Sequence, residues 1–69
     1  MYVILTQGGG VAAAFPSEDE ALMTIRQAFE AHGRVYAGRY SLVAEDGHGN
    51  STALGSGEAL VDRALTATA

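Results

Sequence analysis

Apolar positions along this 69-residue chain follow two different periods, and the change between them marks out the elements. Tyr2 to Leu5 form a short, nearly continuous apolar run rich in β-branched residues, as expected of a strand covered on both faces. Gly8 to Gly10 supply a turn, and "VAAAF" (Val11 to Phe15) returns as the second strand of a hairpin. Its alanines leave room for another element to approach closely, the first helix being the expected one. From Ser17 the period becomes helical, with Ala21, Leu22, Ile25, Ala28 and Phe29 on one side. Ser17 and Glu20 match the S-x-x-E capping box, and Glu18, Asp19 and Glu20 complement the positive end of the helix. Gly33 is the expected left-handed residue that closes this helix. Met23 falls on the opposite side beside Gln27 and Glu30, a modest sign of a contact surface.

"RVYAGRYSLVAED" (Arg34 to Asp46) reads as a third strand, with Tyr36, Tyr40, Leu42 and Ala44 on one parity and Gly38 as a bulge. "DGHGN" turns the chain, "STAL" makes a short fourth strand, and "GSG" leads into a last helix whose stripe is Leu60, Val61, Ala64 and Leu65. Residues 66–69 are expected to fray. The pattern predicts one small α+β domain over residues 1–69, ββαββα, with two helices packed on one face of an antiparallel sheet. That arrangement leaves a second sheet face carrying part of the first strand and half of the third. An uncovered apolar face of several hundred Å² is unusual on a monomer, so another molecule is expected to cover it.

Composition strengthens that expectation. Hydrophobic residues make up 48% of the chain and charged residues 17%, the balance of a globular domain. So short a chain hides only about 60% of its unfolded surface and is marginally stable on its own. The sequence has no cysteine, which excludes disulfides and thiolate metal sites, and two histidines alone do not make a structural zinc site. Tight packing and self-association remain as stabilisers, and a homodimer or docking on another protein is predicted. Four basic residues, all arginine, stand against eight acids for a net charge of −4. Direct nucleic-acid binding is disfavoured by that balance, and a partner with a basic surface suits it. The N-terminal apolar run is too short for an export signal or a membrane span, so a cytoplasmic location is expected.

Several short stretches invite a chemical reading. Asp46, His48 and Asn50 begin like a calcium loop, but the required sixth glycine is Ser51 and Glu58 falls one step late. A glycine-rich hairpin turn is the simpler reading. Gly55, Ser56 and Gly57 precede a helix and form a candidate anion-binding start, although Ser56 also reads as an N-cap and Glu58 already places negative charge there. "TALGSGEALVDRAL", residues 52–65, resembles the strand-GSG-helix segment of proteasome-type N-terminal nucleophile hydrolases. Those enzymes use an N-terminal threonine and a larger double sheet, whereas this chain begins Met-Tyr, so no catalytic residue carries over. A serine triad from Asp46, His48 and Ser51 or Ser56 would lie on a flexible turn that cannot hold its geometry. His32, near the end of the first helix, reads as a half-buried residue beside the negative helix terminus.

No catalytic, metal or cofactor motif emerges. The expectation is a non-enzymatic interaction or regulatory module, a small acidic inhibitor- or antitoxin-like protein. Tyr36, Arg39, Tyr40 and Met23 are its candidate interaction residues, together with the acids Glu18, Asp19, Glu20, Glu45 and Asp46. The alternative is a small-ligand or anion-binding domain built on Gly55 to Gly57.

Overall fold

The computed structural model describes residues 1–67 and shows a small α+β domain. Strands β1 (Tyr2–Leu5), β2 (Val11–Phe15), β3 (Ser41–Glu45) and β4 (Ser51–Ser56) form one antiparallel sheet in the order β2-β1-β3-β4. Helices α1 (Glu18–His32), α2 (Arg34–Ala37) and α3 (Gly57–Ala67) complete it. Of the tail expected to fray, Thr66 and Ala67 are helical, and residues 68–69 lie outside the described residues. Among the described residues no helix is long and apolar enough to cross a membrane.

α1 begins where its sequence says it should. The Ser17 hydroxyl accepts the Glu20 amide at 3.3 Å and donates to the Glu20 carboxylate at 3.2 Å, which joins both halves of the S-x-x-E pair through one oxygen. At the other end Gly33 takes φ 90°, open to glycine alone without strain, and its N–H donates to the Phe29 carbonyl.

The predicted third strand is corrected over its first half. Arg34 to Ala37 form the single helical turn α2, Gly38 caps it, and the strand starts only at Ser41. The physical reason is Gly33. It turns the chain and restarts a helix, so that Ala37 is buried while Val35 is left 79% exposed. Gly38 is therefore a helix end rather than a bulge, with its N–H on the Arg34 carbonyl.

Ile4 and Leu42 on the sheet, Ala21, Leu22 and Ile25 on α1, Ala37 on α2, and Leu60, Val61 and Ala64 on α3 make one buried cluster. Ile4 lies opposite Leu42 and Ala13, so this face of the sheet looks toward the helices. The two outer strands each carry one extra residue, Ala12 in β2 and Leu54 in β4, where the register shifts. Arg63 ties the layers together: it pairs with Glu18 at the start of α1 and donates to the Leu54 carbonyl of β4 at 3.1 Å.

Candidate functional site

The face turned away from the helices is fixed by register. Ala14, Val3, Val43 and Ala53 lie side by side across all four strands, and Leu5 pairs with Val11 beside them. Val3 is buried, yet it stands outside the helix-side cluster and is sheltered by its own neighbours on this face. Met1 extends the β1–β3 ladder through mutual bonds with Glu45 and is 64% exposed, while Val11 is 67% exposed. The centre of the face is thus small and apolar. Its polar positions by register are Ser41, Ser51, Ser56 and the single carboxylate Glu45.

The residues singled out from the sequence separate into two ends of the molecule. Tyr2 pairs with both Phe15 and Ala44 at one end of the sheet, where α1 starts and the β3–β4 turn lies. Glu18, Asp19, Glu20, Glu45 and Asp46 therefore share that end, along with Met23 one turn into α1. Fifteen residues of helix place the close of α1 about 22 Å away. Tyr36, Arg39 and Tyr40 stand there, on the helix side of the sheet. Glu58 is at this second end too, since α3 begins beside Ser41. Among the described residues, three of the chain's acids are matched: Glu18 pairs with Arg63, Asp62 with Arg34 at 3.1 Å and Glu30 with Arg26 at 3.1 Å.

At the second end an aromatic ladder crosses from α1 to β3. The His32 ring packs on Tyr36 with centroids 4.3 Å apart, and Tyr36 meets Tyr40 edge-on at 5.8 Å. The Tyr40 hydroxyl donates to the Tyr36 hydroxyl at 3.2 Å. That bond and partial burial raise the Tyr40 phenol above its ordinary pKa, and the Arg39 charge acts against them. Residues 32, 36 and 40 are spaced by four, a helical signal that the glycine at 33 hides. On one side of the ladder is a hollow of about 400 Å³, floored by Ile4 and Ile25 and walled by Ala12, Ala13, Ala28 and Ala31. On its other side is a smaller hollow of about 280 Å³ formed with Thr6, Gln7, Gly8 and Arg39. Tyr36 and Tyr40 line both.

The glycine-rich stretches are built as turns. Asp46 accepts the amides of His48 at 2.8 Å and Asn50 at 3.0 Å on one oxygen, and the Asn50 side chain at 3.2 Å on the other. Those bonds, the Asn50 amide first, hold the Asp46 carboxyl below the usual carboxylate range. Both oxygens of the Asp46 carboxylate thus serve to close its own turn. At the other stretch β4 runs straight into α3. Gly57 has φ 59° and gives its N–H to the Tyr40 carbonyl at 3.2 Å, so one of the amides an anion would use is already taken. Gly55 faces Leu60, and a Cβ built on it would lie 3.5 Å from that residue's backbone, so this glycine serves the packing of α3 on β4. Among the described residues no group of three histidine or acidic side chains is placed to hold a metal ion. No protein-family model, curated protein or solved structure matches this chain.

Proposed function

We propose that this protein is a non-enzymatic interaction module, a small acidic regulatory protein that acts by laying its open sheet face on a partner's surface, the first such partner being a second copy. The observation that supports the reading is the row Ala14, Val3, Val43 and Ala53, flanked by Leu5 and Val11, on the face opposite the helices. Strand spacing and rise give this face a plan area on the order of 300 Å². That is the size of a functional patch, and it falls below the ~800 Å² per partner of a standard stable interface. The association is therefore transient and concentration-dependent.

Pairing through the face is favoured over pairing through the edges. Both outer strands, β2 and β4, carry a register shift, and such irregular edges are poor templates for another strand.

Sedimentation across a dilution series tests the proposal. Self-association is expected at high concentration, and Val43→Lys, which places a charge at the centre of the face, should abolish it while leaving the circular dichroism spectrum unchanged. A chain that stays monomeric throughout, or one whose association survives Val43→Lys, overturns the reading.

A further inference from the structure

The two hollows that meet at the tyrosine pair differ in chemistry, and together they describe a ligand. The larger is lined mainly by alanines and isoleucines with the Tyr36 and Tyr40 rings, and Thr24, Gln27 and His32 add polar groups to its wall. At ~30 Å³ per water, its 400 Å³ corresponds to about a dozen displaced waters, so it suits a body of similar heavy-atom count. No arginine, aspartate or glutamate lines it, and apart from the His32 ring its lining is neutral, which suits an uncharged body.

The smaller hollow holds Arg39. Arg26, Arg34 and Arg63 all face carboxylates, in pairs with Glu30, Asp62 and Glu18. Among the described residues Arg39 is the arginine without a carboxylate partner, and its charge is near enough to act on the Tyr40 phenol. The phenols add a second donor. Two hydroxyls that share one hydrogen bond spend one proton between them, so one O–H of the Tyr36–Tyr40 pair is left to donate. A guanidinium and a spare phenol proton on residues that line one hollow call for an anionic acceptor, and a planar carboxylate fits both.

We propose that this cleft is a binding site for a small apolar or aromatic carboxylic acid. The hydrocarbon body lies in the alanine-walled hollow against the tyrosine rings, and the carboxylate reaches past them to Arg39 and the free phenol proton. The His32 ring, packed on Tyr36, keeps the wall upright. The site is on the helix side of the sheet and is separate from the open face.

The test uses the nitrogen-15-labelled 69-residue chain titrated with 3-phenylpropionate, its neutral amide and inorganic phosphate. Saturable amide shifts at Ala28, Ala31, Tyr36 and Arg39 are expected with the acid. Binding should weaken about tenfold with the amide, and by a similar factor for the acid in Arg39→Gln, a loss of the size expected for a charge-assisted bond at a partly exposed site. Phosphate should leave Ala28 and Ala31 unmoved. Three outcomes each overturn the proposal: absence of saturation, equal binding of acid and amide, or unchanged affinity in Arg39→Gln. Arg39 is exposed, and its one bond in the fold is made by its backbone N–H, which Arg39→Gln keeps, so the variant reports on the site; sedimentation of the same variant should match the unaltered chain, which keeps this test separate from that of the sheet face.

Discussion

Single residues carry three effects that can be measured separately. Asp46 is held ionised by the amides of its own turn, so its folded-state pKa lies below its unfolded one. The turn's stabilisation is then complete above the unfolded value and disappears as pH falls through the folded value. An NMR titration should place the Asp46 midpoint below the ordinary carboxylate range, with the Asn50 and His48 amides moving in step. Tyr40 behaves in the opposite sense. Its phenol is raised, so its contribution is complete below the unfolded pKa and is lost as pH rises through the folded one. In an ultraviolet titration the Tyr40 phenol should ionise above its ordinary value, and Tyr36→Phe should return it toward that value. Gly57→Ala isolates a backbone effect, because the nearest atom to the new Cβ is 3.8 Å away and only the φ of 59° resists it. About 1 kcal/mol of destabilisation is expected in a denaturant melt.

At the scale of elements, α1 is the most securely built and the most legible. Its cap, its closing glycine and its buried stripe of Ala21, Leu22 and Ile25 are all visible as spacing in the sequence. Ser17→Ala should destabilise the fold by about 1 kcal/mol through loss of the cap. Ile25→Ala, at a position 1% exposed, should cost about 2–5 kcal/mol, a large fraction of the roughly 3–10 kcal/mol expected for so short a chain. Thermal unfolding should then begin near room temperature. The stretch from Arg34 to Arg39 was not legible, because Val35 and Tyr36 favour strands and a four-residue helix is too short to show a period. What fixes α2 is tertiary, the burial of Ala37 and the seating of Tyr36 between His32 and Tyr40. The same circumstance hid the cleft. The ladder spacing of four is present, yet Gly33 interrupts it, and the sequence alone does not distinguish Arg39 from the three arginines that the fold pairs with carboxylates. The glycine stretches, in contrast, were legible as turns, since Asp46 and Asn50 carry their own hydrogen-bonding groups.

For the whole molecule the charge is distributed unevenly. Glu18 to Glu20, Glu45 and Asp46 gather at one end, whereas Arg39 and Glu58 offset one another at the other, so the acidic charge is concentrated at the first end. Contacts made through the open face involve one carboxylate by register and should tolerate salt. Self-association in ~1 M sodium chloride should equal or exceed that in dilute buffer, because screening relieves repulsion between like-charged copies. A fall with added salt would instead implicate the charged ends. The strand order has a different consequence. The N-terminal strand is an interior member of the sheet, and one of its neighbours is about forty residues away along the chain. A growing polypeptide can form the first hairpin early, but that hairpin keeps a raw inner margin until β3 arrives to zip against it. Biogenesis should accordingly be late and all-or-none, with no long-lived half-made species and with both halves of the chain needed before either becomes resistant to protease.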